Sequence, residues 1–274
     1  VSAQRPGTMP AMRRPSGLWG LPRPGRGCLP VLRRNFLVWR KTALTTVLGD
    51  VMDPMVALLA LGYGLGSLLP GIDGVPYVTF LAAGSICMGA LYAATFEATY
   101  SAFSRLHIQH SWDAMLNTPL SLDDVVFAEI LWAAAKSLKS GLAILLVVLA
   151  LDISRAPTLA WIPLLLVLLG VTFASLALVM SALAKGFDFF MYYFTLGVTP
   201  MVFLSGVFFP VAQLPEALVQ VARIAPLAPA IELVRPLVLG RLPEHAWMHV
   251  LQLAATAAVA TWLATALMRR RLLR

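Results

Sequence analysis

The chain has 274 residues, 59% of them hydrophobic and only 12% charged, with a formal net charge of +8. A soluble domain is about 45–50% apolar and needs far more charge to cover its surface, so composition excludes a soluble protein and indicates a polytopic membrane protein. Two cysteines, Cys28 in a polar tail and Cys87 in an apolar run, exclude a disulfide framework or a cysteine metal motif. In a membrane chain the excess of Lys and Arg reflects topology rather than nucleic-acid binding.

Residues 1–27 are rich in Pro, Gly and Arg, have no apolar period, and read as disordered. They lack the apolar central region of a signal peptide, so cleavage is not expected. Between Leu29 and Lys41 the pattern changes. Leu32, Phe36 and Trp39 recur at helical spacing, while Arg33, Arg34, Arg40 and Lys41 fill other faces. This predicts a helix lying in the membrane interface with its basic groups among headgroups; the alternative is a simple basic flank of the first span.

A crossing helix needs roughly 20 apolar residues, and six runs of about that length fall at 48–69, 76–103, 125–150, 159–184, 189–209 and 246–268. Of the 21 Lys and Arg residues, 15 lie in the two terminal segments and the loops on their side, which predicts that both termini are cytoplasmic. The second and third runs carry Glu97, Glu129, Lys136 and Lys139. Charges in hydrocarbon face a bundle interior or water. Two readings stand: a polar cavity for an anionic or sugar headgroup, or lysines that snorkel while the glutamates pair with them or with Arg105.

Between these two runs lies HIQHSWDAMLNTPLSLDD, 107–124. SWDAMLNTP predicts a short helix with Ser111 as its cap and Asp113 in the first turn. Trp112, Met115 and Leu116 share one face, and Pro119 ends the element. It is too short to stand alone. It is either a turn with its Trp in the membrane interface or a knob presented to a cytoplasmic partner. Asp123 and Asp124 fit a helix cap as well as an enzyme's acid pair. The fifth run opens on an aromatic cluster that includes Phe187, Phe190, Tyr192 and Tyr193, which reads as an interface belt and core or as a lining for a sugar or acyl chain. From Phe203 to Gly240 the chain is apolar but broken by five prolines. It predicts two short helices, roughly 214–225 and 228–239, with Glu232 and Arg235 one turn apart.

No phosphate-binding loop, H-E-x-x-H or G-x-S-x-G occurs. Energy therefore comes from another polypeptide or from an ion gradient. His245 and His249 are spaced i, i+4 without a third ligand, so no metal is expected. A secondary transporter would call for internal repeats, and a membrane-embedded glycolipid-modifying enzyme for clustered acids or histidines; both stand as alternatives to an ATP-driven exporter.

The segments RRNFLVWRKTAL (33–44), LGYGLGS and DGVPYVTFLAAG (61–84), ATFEATYSAF (94–103), SWDAMLNTPLSLDDVVFAEILWAA (111–134), TPMVFLSGVFFPVAQLP (199–215), LAPAIELVRPLVLG (227–240) and the terminal RRRLLR carry a resemblance over roughly 31–274. The chain is similar to membrane subunits of ABC-2 type transporters, and more narrowly to the nodulation-protein-J-like permeases, whose rhizobial members are implicated in lipo-oligosaccharide export. The resemblance implies an all-α, six-span ABC-2 (type V exporter) fold in the bacterial inner membrane. An amphipathic connecting helix would occupy 28–43 (Arg33, Arg34, Phe36, Trp39, Arg40), the span domain 44–268 and a basic C-terminus 269–274. A coupling helix at about 106–120 would dock in a groove of an ATPase, with Trp112, Met115 and Leu116 as apolar anchors and His110 and Asp113 on the rim. Re-entrant outer helices would lie beside the dimer interface and involve Phe208, Phe209, Pro210, Arg223, Glu232 and Arg235. The implied assembly is a homodimer with two ATPase subunits, which bind the ATP and Mg; the chain itself would hold no cofactor and catalyse nothing. The implied cargo is an amphipathic glycolipid.

Overall fold

A computed structural model describes residues 18–68, 71, 72 and 74–272. Most of the tail expected to be disordered, and the last two residues of RRRLLR, lie outside the described residues. The described part is helical: α1 (Cys28–Trp39), α2 (Ala43–Gly64), α3 (Tyr77–Phe96), α4 (Ala102–His107), α5 (Ser111–Leu116), α6 (Leu122–Ala150), α7 (Ile162–Leu183), α8 (Asp188–Tyr193), α9 (Thr199–Leu204), α10 (Glu216–Ile224), α11 (Leu227–Val238) and α12 (Ala246–Leu272). A π-helical turn, Glu97–Ser101, fuses α3 to α4, and another, Phe194–Val198, fuses α8 to α9. The second turn has a local cause. Pro200 cannot donate to the carbonyl one turn back, and the ladder widens around the gap.

Among the described residues, four helical stretches are long and apolar enough to cross a membrane: Tyr77–His107, Leu122–Ala150, Pro157–Leu183 and Ala246–Leu272. This is fewer than the six expected. Asp50, Asp53 and Pro54 interrupt the first apolar run, and only Met55–Ser67 remains as an apolar helix there. The fifth run folds as Asp188–Leu204, 17 residues or about 25 Å of helix, against roughly 30 Å of hydrocarbon. The segments α10 and α11 meet at 87° and make at most one broken span.

The bundle is built around α7, which packs on α3, α6 and α12. The α6–α7 seam is close because its residues are small. A Cβ built on Gly170 would stand 2.8 Å from the Ser137 Cβ and 2.9 Å from the Ala134 Cα. In lipid, where burial adds little between helices, such close approach is what holds a pair together. The start of α6 is fixed by a capping box: the Ser121 hydroxyl accepts from the Asp124 amide at 3.1 Å, and the Asp124 carboxylate accepts from the Ser121 amide at 3.2 Å. The end of α7 is held by Arg271, whose guanidinium donates to the carbonyls of Ser181 (2.8 Å) and Ala182 (3.0 Å), a cation at the negative pole of a helix.

Candidate functional site

The polar loop folds as a corner where α1 and α5 meet the ends of α4 and α6. His110 takes a left-handed backbone (φ 49°), which turns the chain sharply into α5. It precedes the first helical residue, so Ser111 is not the cap that the sequence indicates. The Ser111 hydroxyl instead accepts from the Arg34 guanidinium of α1 at 2.8 Å. His110 Nδ1 lies 3.0 Å from Asp113 Oδ2, both side chains exposed. Trp112 is turned inward and wholly buried in the chain's own core. It therefore anchors α5 to the bundle rather than projecting from it, and the short helix packs on both α4 and α6. Met115 and Leu116 are half-buried against the same core, and Asp113, Ala114 and Asn117 form the open face. A notch of about 420 Å³ lies between α1 and α5, floored by Val31, Met115 and Leu120 and edged by Arg34, Gln109 and Ser111.

From this corner a polar chain runs into the bundle. Arg34 also donates to Asn35 Oδ1 (3.2 Å), and Asn35 Nδ2 donates to Glu129 Oε1 (3.5 Å). Arg105 Nε donates to Glu129 Oε1 at 3.0 Å, and its terminal nitrogen bridges both Glu129 and Glu97, the latter at 2.8 Å. Lys136 closes the chain on Glu97 at 2.5 Å. Both carboxylates are almost completely buried. Glu97, Glu129 and Lys136 thus meet in one ion network, with Arg105 at its centre. Lys139 has its Nζ 5.3 Å from the Trp39 ring centroid. Burial, and then the nearby Arg105 guanidinium, lower the proton affinity of Arg34 from its ordinary value, while Glu129 opposes them.

The other named residues are scattered. Arg33, Phe36 and Arg40 are exposed on α1, and Trp39 packs on Trp132, ring centroids 6.2 Å apart. Tyr192 is exposed, Tyr193 half-buried, and Phe194 stacks on Phe96 at 4.5 Å. At the opposite end of α3, Glu232 and Arg235 do not pair with each other. Glu232 meets His249 Nε2 of α12 at 3.3 Å. Arg235 lies over the Phe80 ring at 3.8 Å and donates to the Gly206 carbonyl; residues one turn apart on α11 have been drawn to different neighbours. Phe208 and Phe209 are half-buried with Pro210, and the Phe208 carbonyl accepts from the Tyr77 hydroxyl at 3.0 Å. Arg223 is exposed, and its carbonyl accepts from Gln252 at 2.9 Å. No group of three His, Cys, Asp or Glu residues suited to a metal occurs among the described residues. A separate notch of about 560 Å³ is lined by Tyr63, Ser67 and Tyr77 among several glycines.

Sequence reasoning missed a second polar centre. Arg269, read as one cation of a basic tail, is buried and grips Asp123 through two nitrogens (2.9 and 2.5 Å) and the Gly20 carbonyl (2.6 Å). The Arg23 amide donates to Asp123 (2.9 Å), the Gly25 amide and Cys28 thiol lie on Asp124, and Trp19 packs on Trp262 at 5.8 Å. The segment before α1 thereby straps α6 to α12. The acid pair at 123–124 was the available signal.

Comparison with known proteins places the chain among transport proteins. The ABC-2 type transporter family matches residues 28–239. Nodulation protein J of Rhizobium leguminosarum bv. viciae is 44% identical over 258 residues, covering 94% of this chain and all of the relative. Nodulation protein J of Rhizobium meliloti is 42% identical over 253 residues (92% and 97%), and that of Sinorhizobium fredii 40% over 245 (89% and 94%).

Proposed function

The chain belongs to the ABC-2 type transporter family, among its nodulation-protein-J-like permeases, and from that premise we propose that it is the permease of an ATP-driven exporter of an amphipathic lipo-oligosaccharide or similar glycolipid. An ABC transporter membrane subunit is an integral membrane protein without a cofactor of its own. In the proposed assembly two copies pair with two separate ATPase subunits that bind ATP and Mg. The dimer lies in the bacterial inner membrane with both termini cytoplasmic. The 28–43 segment is the connecting helix, and α10 and α11 are re-entrant outer helices.

The observation that carries the reading is the construction of α5. Trp112 and the Arg34–Ser111 hydrogen bond fix the short helix to the bundle, while His110, Asp113, Ala114 and Asn117 remain open. ATP-driven closure of a motor reaches the spans only through a rigid element with two arrangements, and α5 has that form. In this reading Met115 and Leu116 border the docked partner, and Trp112 holds the joint from inside. Lys136 and Lys139 border the path of the cargo headgroup, with Tyr192 and Tyr193 beside its acyl part.

The test is a mild-detergent pull-down from the native membrane, followed by mass spectrometry. A stoichiometric protein with a phosphate-binding loop is expected, and Ala114→Glu/Asn117→Glu should release it while leaving the chain folded. Purification of the chain alone, even after cross-linking, would sink the exporter reading in favour of an ion-coupled carrier.

A further inference from the structure

The notch of about 420 Å³ between α1 and α5 has an unbalanced charge at its edge. In the polar chain behind it three cations, Arg34, Arg105 and Lys136, face two carboxylates. Arg105 bridges Glu97 and Glu129, and Lys136 takes Glu97. Arg34 donates to two neutral oxygens, Ser111 Oγ at 2.8 Å and Asn35 Oδ1 at 3.2 Å, and among the described residues it has no ion-pair partner. Those bonds use two of its five N–H donors. Among the described residues lining the notch, Arg34 is the one that carries a charge. Asp113, between the lining residues Ser111 and Ala114, is held by His110 at 3.0 Å. The segment before α1 has no acid to offer, because the first 49 residues contain nine Lys and Arg and not a single Asp or Glu. Burial, and then Arg105, disfavour the charge on Arg34 more than Glu129 supports it.

A charge taken partly out of water is costly unless an opposite charge meets it. The floor of the notch is apolar, made by Val31, Met115 and Leu120. A free inorganic anion would satisfy the guanidinium and leave that floor wet. A polypeptide segment with an acidic side chain beside an apolar one satisfies both. The notch also opens next to Ala114, on the face of α5 where the proposed motor docks. We infer that the notch is a socket for an acidic side chain of the ATPase, whose carboxylate meets Arg34 while an apolar neighbour covers Val31, Met115 and Leu120. Trp112 is turned inward, so at this joint the permease offers a cavity and the partner supplies the knob. Such a partner exists only if the exporter reading above holds; the socket and its charge preference are additional to it.

The experiment uses the full chain and the ATPase recovered with it from the native membrane. Thr118, an exposed lining residue, is replaced by p-benzoylphenylalanine and photo-crosslinked, and the joined peptide is read by mass spectrometry. It should come from the ATPase and contain Asp or Glu. The affinity of purified permease variants for the ATPase is then titrated in detergent. Truncating one partner of a buried charge pair at an interface weakens binding by roughly 30-fold or more, so Arg34→Gln should lose at least that, while Arg26→Gln, the same change of net charge at an exposed site outside the notch, should stay within about twofold. Arg34→Glu should bind more weakly still, and should recover when the crosslinked acid of the ATPase is changed to Arg. A variant weakened only because α5 has lost its Ser111 bond would not recover. Unchanged affinity in Arg34→Gln, or no recovery in the swapped pair, overturns the socket while the exporter reading stands. A crosslink to lipid, to a second copy of this chain or to a peptide without an acid overturns it likewise. Recovery of no ATPase at all overturns both.

Discussion

Replacing Arg105 by Met should be among the most damaging single changes at a polar position in this chain. Arg105 spans two carboxylates whose side chains are 1% and 2% exposed, Glu129 and Glu97. Without it Glu97 keeps Lys136, but Glu129 keeps, among the described residues, the Asn35 amide at 3.5 Å. An ion left uncompensated in the interior costs about 3–5 kcal/mol. The same deletion at the exposed pair Arg155–Asp152, 2.6 Å apart with side chains 74% and 66% exposed, should cost at most about 1 kcal/mol. The penalty is the orphaned charge rather than the lost attraction. Arg105→Met/Glu129→Gln should therefore recover about 2–3 kcal/mol of it. The assay is urea unfolding of purified variants in one detergent. If Arg105→Met costs no more than Arg155→Gln, or if the double variant is as unstable as the single, then the reading of 97, 105, 129 and 136 as one buried ion network is wrong.

Three further outcomes are expected. Arg269→Gln breaks a two-nitrogen grip on Asp123 and a bond to Gly20 and should cost about 2–4 kcal/mol, whereas Arg270→Gln, one residue on and exposed, should be within about 0.5; equal effects in urea unfolding would contradict the strap. The Cys28 thiol is pushed up to about 11 by burial and then by the Asp124 charge. A raised value keeps it neutral: at pH 8 its thiolate fraction is roughly 200-fold below that of an ordinary thiol of pKa about 8.5, and after the greater nucleophilicity of the more basic thiolate, iodoacetamide should react roughly 20-fold more slowly. Its rate should climb tenfold per pH unit, and a plateau below pH 9.5 would refute the assignment. Gly170→Ala, a change that stabilises most helix interiors by about 0.5–1 kcal/mol, should here destabilise by about 1–3, because its Cβ meets the Ala134 backbone at 2.9 Å; a gain in stability would show that the α6–α7 seam is looser than described.

The class and the positions of most helices were readable because they depend on local quantities. Apolar run length marks α3, α6, α7 and α12, and Pro215 and Pro226 bracket α10 between the two turns that flank it. Whatever depended on contacts between distant residues was not readable. Spacing puts Trp112, Met115 and Leu116 on one face, but only the return of α6 beside α4 decides that Trp112 faces inward. The i, i+3 spacing of Glu232 and Arg235 suggests a pair, yet His249 and Gly206 lie closer to hand. Arg269 and Arg270 are indistinguishable as sequence, and one is buried because Asp123, 146 residues away, stands opposite it. The six-span expectation counted apolar residues without charging the carboxylates and Pro54 of the first run against its length.

The chain of contacts from Ser111 through Arg34, Asn35, Glu129, Arg105 and Glu97 to Lys136 is poorly explained as a device for stability. Well-packed apolar residues in the same volume would do as well or better, since each buried ion carries a desolvation cost that pairing barely offsets. What the ionic version adds is a defined arrangement. Arg105 meets two acids that sit on different elements, Glu97 in the π-helical turn and Glu129 on α6. The turn where α3 passes into α4 therefore cannot slide along α6 without stranding a charge. Through Asn35 and Arg34 the same constraint extends to α1 and α5. An apolar contact at these positions would yield gradually under load. An ion network holds until a bond breaks and then passes to another discrete pairing, which is the behaviour that the proposed joint between a separate motor and the spans would require.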